Sequence, residues 1–257
     1  MKIASWNVNS LNVRLPHLQR WLQAFKPDVV GLQETKLEDA RFPHEALATD
    51  GYGCVFSGQK TYNGVALLAR DHEIADVQRG IPGLDDPQQR AIAATINGVR
   101  IVDLYVVNGE AVGSEKFEYK MRWLTAVHEW LEDELARHPQ LVVMGDFNIA
   151  PADLDVHDPK RWKEKILCSI PERAALGALE SLGLHDSFRL LHPDAEKQFS
   201  WWDYRLAAFQ RGWGLRIDLL LVSDALKDKV VAAGIDTEPR TWERPSDHTP
   251  AWVELAA

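Results

Sequence analysis

Short apolar segments separated by turn-forming residues run through most of the chain and predict a protein rich in β-strands. "KIASWNV" (2–8) and "VVGLQET" (29–35) indicate two strands near the N-terminus. "AIAATI", Asn97-Gly98 and "VRIVDLYVV" predict a β-hairpin, because Asn-Gly supplies the positive φ angles of a type I′ turn. Further strands are predicted over 52–58, 64–70, 141–150, 215–223 and 251–255.

Apolar residues spaced three and four apart predict three helices. The first ends before Pro27 and has its apolar face at Leu15, Leu18, Leu22 and Phe25. Residues 115–137 predict the longest helix, with a face formed by Phe117, Met121, Leu124, His128, Leu131 and Leu135. "PERAALGALESLGL" predicts a third helix that ends near Gly183.

The order of these elements indicates a mixed sheet protein in one domain. Strict strand–helix–strand alternation fails, and the chain has neither a low-complexity linker nor an abrupt change of composition. Its 257 residues are enough for one large core but few for two average domains. We therefore expect a single domain over residues 1–257.

Polar residues stand where the predicted apolar strands end or begin. A buried strand has no low-energy place for an unpaired carboxylate, so several such residues indicate one polar pocket at the rim of a sheet core. Side chains two apart on an extended chain share a face, which predicts that Asp146 meets Asn148 and that Asn7 meets Asn9. The complete set is Asn7, Asn9, Glu34, Asp146, Asn148, Asp218, Asp247 and His248.

Carboxylates and amides without cysteine make a hard-oxygen site, which suits Mg²⁺ or Mn²⁺ better than zinc. Each residue also has a plainer interpretation at this stage. Glu34 resembles a surface acid, and Asp146 with Asn148 resembles a turn. Asp218 has Arg216 as a candidate salt-bridge partner, and Asp247-His248 resembles a helix cap followed by a surface histidine.

Composition narrows the function only slightly. Hydrophobic residues make up 46% and charged residues 26% of the chain, as in ordinary globular proteins. Two cysteines give no disulfide framework, and we expect neither a signal peptide nor a membrane span, which fits a cytoplasmic protein. The net charge of −9 argues against a protein that coats nucleic acid, but it is compatible with a basic rim around an acidic, metal-binding centre.

Six segments stand in the order found in the exonuclease III / abasic (AP) endonuclease family, which the chain resembles from Met1 to about Glu254. They are "WNVNSL", "GLQETK", "GQKTYNGVALL", "GDFNIAPADLD", "GLRIDLLLVS" and "PSDHTP". The resemblance implies an α/β fold of four layers, a sandwich of two packed mixed β-sheets flanked by helices. It also implies a divalent metal, Mg²⁺ or else Mn²⁺, and a double-stranded DNA substrate with abasic sites or 3′ ends.

The resemblance also implies residue roles. Glu34 resembles the principal metal ligand, supported by Asn7, Asn9 and Asp247. Asp146 resembles the base that activates water, and Asp218 with His248 resembles the paired acid and histidine. Phosphate contacts are implied for Tyr105, Asn108 and Asn148.

Three departures from the family pattern bear on specificity. Val107 stands where many relatives have proline, which removes a preset φ from the phosphate-binding loop. Asn9 replaces an aspartate of some abasic endonucleases. The segment "HDPKRWKEKILCS" (157–169) differs from the matching loop of the best-known abasic endonucleases, so the balance of abasic cleavage and 3′-end trimming stays open.

A basic rim would reconcile the acidic chain with DNA binding. Lysines and arginines cluster around Trp162 at Lys160, Arg161, Lys163 and Lys165, and Lys60, Arg90, Lys116 and Lys120 are further candidates. A solvated helix end is the alternative for the cluster. In relatives the aromatic stretch 199–214 lines a pocket for a flipped sugar or frayed 3′ end, and Trp201 and Leu215 fall at pocket positions.

The sequence thus favours a monomeric, Mg²⁺-dependent DNA repair nuclease with 3′–5′ exonuclease activity, abasic endonuclease activity or both, including the cleaning of 3′ ends. Two alternatives remain. One is a phosphatase of the same fold that acts on phospholipids or inositol phosphates. The other is a catalytically inactive DNA-binding module.

Overall fold

The computed structural model describes residues 1–256 and contains fourteen strands and seven α-helices. The strands are β1 (Lys2–Asn7), β2 (Val29–Gln33), β3 (Tyr52–Ser57), β4 (Val65–Arg70), β5 (Ile74–Arg79), β6 (Ala91–Ile96), β7 (Val99–Tyr105), β8 (Leu141–Asp146), β9 (Leu184–Asp186), β10 (Trp201–Trp202), β11 (Gly214–Leu215), β12 (Asp218–Ser223), β13 (Val230–Ile235) and β14 (Ala251–Leu255). The helices are α1 (Leu11–Phe25), α2 (His44–Thr49), α3 (Glu115–Arg137), α4 (Pro159–Trp162), α5 (Ile170–Glu180), α6 (Ser187–Leu191) and α7 (Asp224–Lys227).

Two six-stranded sheets form the centre, in the orders β13-β14-β1-β2-β4-β3 and β5-β6-β7-β8-β12-β9. Each is mixed, because β1 with β2 and β7 with β8 are parallel while their other pairings are antiparallel. The sheets pack face to face through side chains such as Val29, Leu67, Ile101 and Val142. Helices α1 and α3 cover the outer faces, which confirms the predicted four-layer α/β sandwich.

Local sequence explains several element boundaries. Asn97 and Gly98 have φ of 50° and 76°, as the predicted type I′ hairpin requires. The longest helix occupies the predicted residues 115–137 and is capped by Ser114, whose hydroxyl accepts from the Phe117 amide. At α5, Ser169 and Glu172 form a capping box.

The sequence did not predict β5, β9 and β13. All three lie at sheet edges, where a strand is paired on one side only and alternates weakly between buried and exposed positions. No helix among residues 1–256 is both long enough and apolar enough to cross a membrane.

The strand predicted over 215–223 is divided in two. Arg216 is buried between β11 and β12 and donates to Asp155 at 2.6 Å and to Asp186 at 2.7 Å. The amides of Ile217 and Asp218 both donate to the Ser200 hydroxyl at 3.0 Å instead of to a neighbouring strand. The suggested salt bridge between Arg216 and Asp218 is therefore wrong, and Asp218 is free to serve the site described below.

We expect Arg216→Met to lower the free energy of unfolding by about 3–5 kcal/mol, because it leaves Asp155 and Asp186 buried without this cation. Denaturant titration followed by circular dichroism measures the loss. Lys116→Ala breaks an exposed pair with Glu110 and should cost about 0–1 kcal/mol. Equal losses in the two variants would contradict the structural importance given to Arg216.

Candidate active site

The polar residues predicted at the strand ends converge at one edge of the two sheets. Asn7 ends β1 and Glu34 follows β2, its parallel neighbour. In the other sheet, Asp146 ends β8 and is paired in register with Asp218 at the start of β12. His248 precedes β14, which runs antiparallel to β1, so it reaches the same edge from the far end of the chain.

Asn7 joins the two halves of the site. Its side-chain amide is fully buried and donates to Glu34 Oε1 and to Asp146 Oδ2, each at 2.9 Å. One amide group thus links an acid from each sheet, and the Ser246 hydroxyl holds the Asn7 carbonyl at 2.7 Å.

Asn9 contacts Asn7 and Asn148 contacts Asp146, as predicted. The backbone geometry differs from the predicted extended chain. Asn9 and Asn148 have φ of 43° and 49°, so neither continues an extended chain. Instead, the Asn9 amide donates to Asn7 Oδ1 at 3.0 Å, and the Asn148 amide donates to Asp146 Oδ1 at 2.9 Å. These are Asx turns, in which asparagine tolerates the left-handed region.

His248 lies between two carboxylates. Its Nδ1 is 2.9 Å from Asp218 Oδ2, and its Nε2 is 3.6 Å from Asp146 Oδ2. Burial alone would lower the pKa of His248, but the charges of Asp218 and Asp146 outweigh it and raise this pKa to about 10. The imidazole is therefore a buried cation at neutral pH, and the surface histidine suggested as an alternative is wrong.

Asp146 has the environment of a base that works near neutral pH. Burial is the main reason that its pKa rises to about 7, and the neighbouring charges of Asp218 and Glu34 raise it further. His248 and the Asn7 amide act in the opposite direction and favour the carboxylate. A general base is most effective when its pKa lies near the working pH.

Glu34 faces a cation in this structure. Lys36 bridges Glu34 Oε2 at 2.9 Å and Asn9 Oδ1 at 2.6 Å, so two oxygen ligands converge on one positive charge. Burial would raise the pKa of Glu34, but Lys36 and the Asn7 amide lower it below its ordinary value. Sequence reasoning gave Lys36 no role, although it belongs to the quoted "GLQETK" segment.

Asp247 is connected to this group indirectly. Its carboxylate accepts from Asn9 Nδ2 at 2.9 Å and from Trp201 Nε1 at 3.0 Å. Tyr204 adds a further contact, since its hydroxyl accepts from the same Asn9 amide at 3.3 Å.

The donor set fits a hard divalent cation. One ligand atom from each of Glu34, Asp146 and His248 lies within 4.8 Å of the other two. His248 meets this spacing, but an imidazolium has no free lone pair for a metal, which leaves the oxygen donors. Glu34, with Asn9 beside it, is the part of the site that already surrounds a positive charge.

The residues with implied phosphate contacts line one side of Asp146. Burial, with the charges of Glu34 and Asp146, raises the pKa of Tyr105 well above its ordinary value, so its hydroxyl stays protonated. Asn148 Nδ2 donates to the Val106 carbonyl at 2.9 Å and to Asp146 Oδ2 at 3.4 Å, while its Oδ1 accepts from Asn108 at 3.1 Å. Asn148 thus braces its neighbours and has both amide hydrogens engaged.

Lys120 supports the backbone at Asn108 and Asn148 from inside the protein. The prediction that Lys120 lies on a basic rim is therefore wrong. The side chain is fully buried, and its ammonium donates to the Asn148 carbonyl at 2.7 Å and to the Asn108 carbonyl at 3.1 Å. Glu172 supplies the opposing charge. A lysine on an amphipathic helix is normally exposed, so only the three-dimensional structure reveals this burial.

Arg90 also differs from a free rim cation. Its guanidinium lies 4.5 Å from the centroid of the Tyr105 ring and donates to the Tyr105 carbonyl at 3.2 Å. Gln88 holds the same guanidinium at 2.8 Å. This stacking fixes the ring whose hydroxyl faces the acids.

Exposed cations lie beside the site on the segment 157–169. Lys160, Arg161 and Lys163 are exposed there, and Lys116 is exposed but paired with Glu110. A cavity of about 540 Å³, here called the inner cavity, opens between this segment and residues 201–213. Trp201 lines it next to Asp247, whereas Leu215 is fully buried in the adjoining cluster that includes Trp201.

Comparison with known proteins places this geometry in a family. A sequence profile described as the Endonuclease/Exonuclease/phosphatase family matches residues 4–248. The chain belongs to this family. Its members include the phosphodiester hydrolases that the six sequence segments resemble.

Relatives cover the whole chain. Exodeoxyribonuclease III of Haemophilus influenzae is 39% identical over 99% of this chain and 100% of the relative. The structure of the 3′ phosphatase NExo from Neisseria, bound to a product DNA hairpin, is 52% identical with a TM-score of 0.98, and another NExo structure, with a TM-score of 0.97, is described as a 3′-5′ exonuclease. An AP endonuclease from Archaeoglobus fulgidus is 36% identical with a TM-score of 0.95, and coverage is 100% of both chains in all three structural matches.

We expect Asp218→Asn to move the alkaline limb of the pH–rate profile to lower pH. The folded pKa of His248 lies above the ordinary value of 6.5, so the cation is present at neutral pH and is lost as the pH rises through about 10. The charge of Asp218 is the strongest influence that raises the pKa of His248. Neutralising Asp218 therefore lets His248 lose its proton at a lower pH. Initial rates at saturating metal from neutral to strongly alkaline pH measure the shift; an alkaline limb that stays in place would refute this pairing.

Proposed function

We propose that this chain is a Mg²⁺-dependent DNA repair nuclease that acts mainly on 3′ ends, as a 3′–5′ exonuclease and 3′-phosphate-removing enzyme. The observation that carries the proposal is the position of Asp146. This base lies between a buried imidazolium and the Glu34 group, where a phosphate would meet an activated water, a proton donor and a metal.

The comparisons support the general class directly: the chain is a nuclease of the DNA repair type, with exodeoxyribonuclease III as a full-length relative. The emphasis on 3′ ends is our own inference. It rests on the 52% identity to NExo, compared with 36% to the AP endonuclease.

Cleavage at abasic sites is the second candidate activity. It needs the same attack on phosphorus, with an abasic sugar in place of a 3′-terminal group. This activity stays a candidate because the chain is 36% identical to an AP endonuclease over the full length of both chains. The inner cavity beside Trp201 provides an apolar surface for either group.

The residues divide the reaction between them. Asp146 takes a proton from the attacking water, and the His248 imidazolium donates a hydrogen bond to a non-bridging phosphate oxygen. Asp218 keeps the imidazole protonated and correctly oriented. Tyr105 and Asn108 contribute neutral donors on the other side of the phosphate.

Glu34 would hold the metal, with Asn9 beside it and Asn7 fixing the carboxylate. A bound Mg²⁺ supplies positive charge to the phosphate and to the leaving 3′-oxygen. Lys36 must then withdraw from the Glu34 oxygen that it occupies. Mn²⁺ prefers similar oxygen ligands and is the alternative ion.

Two rival functions have less support. A phosphatase for inositol phosphates shares the family, but the full-length relatives are DNA enzymes. A catalytically inactive DNA-binding module is opposed by the assembled Glu34, Asp146 and His248 group. The single domain, the monomeric state and the cytoplasmic location stay predictions.

Asp146→Asn should lower turnover by about 10²–10⁴-fold, because the amide cannot accept the proton of the attacking water. The assay uses labelled duplexes with a 3′-phosphate, a recessed 3′-hydroxyl or an abasic site, each with and without Mg²⁺. Wild-type protein should act fastest on the two 3′ ends. Near-wild-type rates in the variant, or hydrolysis of inositol phosphates instead of DNA, would overturn the proposal.

Glu34→Ala should shift the Mg²⁺ titration to higher concentration, since it removes the carboxylate that we assign to the ion. Calorimetric titration of Mg²⁺ measures the change independently of turnover. Glu110→Ala removes an exposed acid and serves as the matched control. Identical metal affinities in the two variants would exclude Glu34 as a ligand.

A further inference from the structure

A second cavity, here called the outer groove, lies beyond the inner cavity and has a volume of about 750 Å³. The two cavities share His157, Arg161 and Trp213 in their walls. Trp201 lines the inner cavity and donates to Asp247, so the inner cavity adjoins the site on one side and the outer groove on the other.

Cations dominate the outer groove. Lys160, Arg161, Lys197 and Arg211 line it, and all four are exposed and have no ion-pair partner within residues 1–256. Two acids also line the groove, of which Asp153 is ion-paired and Asp158 keeps its charge, so four cations face one unpaired acid. Asp153 pairs with Arg173 at 2.9 Å, and Asp158 caps α4 by accepting from the Arg161 amide at 3.0 Å. The groove therefore has uncompensated positive charge and fits an anionic ligand.

The wall between the cavities is aromatic. His157 stacks on Trp213 with ring centroids 6.2 Å apart and an interplanar angle of 19°, and its Nδ1 lies 3.1 Å from the Gly214 carbonyl oxygen. Arg211 covers Trp213 at 4.6 Å. A guanidinium plane over an indole is a surface on which unpaired bases stack, whereas paired bases are already stacked on their neighbours in the duplex.

Size and chemistry together indicate one class of ligand. The groove falls in the range of about 300–1,000 Å³ of pockets that hold a single small ligand, which suits a nucleotide or two. Uncompensated cations suit phosphates, and the stacked surface suits unpaired bases. Because the outer groove adjoins the inner cavity, which adjoins the site, nucleotides in the groove would belong to the strand being cut.

We propose that the outer groove binds the unpaired nucleotides that follow the first one in a frayed 3′ end. The inference rests on the proposed function. With the first unpaired nucleotide in the inner cavity, water attacks the phosphorus on its 5′ side and the bond from phosphorus to the preceding 3′-oxygen breaks. The paired strand keeps a 3′-hydroxyl, and the tail leaves as a short oligonucleotide with a 5′-phosphate.

Product length tests the proposal. The substrate is a duplex whose 3′ end carries about three mismatched nucleotides, one for the inner cavity and the others for the outer groove. Wild-type protein with Mg²⁺ should release di- and trinucleotides bearing 5′-phosphates, identified by mass spectrometry. In K197A/R211A the oligonucleotide share should fall about tenfold in favour of mononucleotides, since a lost base or phosphate contact is of that size.

The matched control is K227A/K229A, which removes one lysine at the end of α7 and one just after it, between β12 and β13 and away from Asp146. Its products should match those of the wild type. Release of mononucleotides alone by the wild type, or one product distribution for all three proteins, would overturn the proposal.

A binding measurement separates this inference from the proposed function. Fluorescence anisotropy of the frayed duplex in EDTA should show weaker binding to K197A/R211A than to wild type and a smaller dependence on salt. A fully paired duplex should show a smaller difference. If neither the wild type nor the variants cut DNA, the proposed function fails, but the anisotropy measurement still tests the outer groove. Equal weakening of binding to the frayed and the fully paired duplex would show only a general charge effect and would refute the groove proposal.

Discussion

The contact of Asn7 with Glu34 and Asp146 is the interaction on which the site depends. Two carboxylates from different sheets would repel each other at this distance, and each would lose water on burial. The amide satisfies one oxygen of each acid without adding charge. Asn7 ends β1, an interior strand of its sheet, and Asp146 ends a strand of the other sheet. The relative position of the two sheets therefore fixes the distance between Glu34, the proposed metal ligand, and Asp146, the proposed base.

Charge balance explains how so many acids remain close together. Asp146 and Asp218 share one cation, His248, while Glu34 shares Lys36 with Asn9. Two carboxylates on one imidazolium leave net negative charge, which attracts a divalent ion, whereas the charges of Glu34 and Lys36 balance each other. The same balance raises the pKa of His248 and keeps it protonated where a phosphate would arrive.

Sequence reasoning found the converging residues because several polar residues stand at the ends of apolar strands, although each alone also fits a surface acid, a turn, a salt bridge or a cap. It could not give their partners: Arg216 lies 61 residues from Asp155 and 30 from Asp186, and the local pattern suggested Asp218 instead. Lys120 looked exposed because helical periodicity does not reveal a buried acid on another helix. The edge strand β13 escaped notice because its burial pattern alternates poorly. The roles of the acids came from family resemblance, whereas their distances required the fold.

Lys120 has a consequence for how enzymes of this architecture diverge. Glu172, which neutralises it, also accepts from the amides of Leu167 and Ser169, so the end of the segment 157–169 is tied to the underside of the phosphate loop. Lys160, Arg161 and Lys163, before this tie, are exposed and make no ion pair within residues 1–256. Changes in that stretch therefore alter one wall of the inner cavity and of the outer groove, while the tie at Glu172 keeps the hydrolytic residues in place.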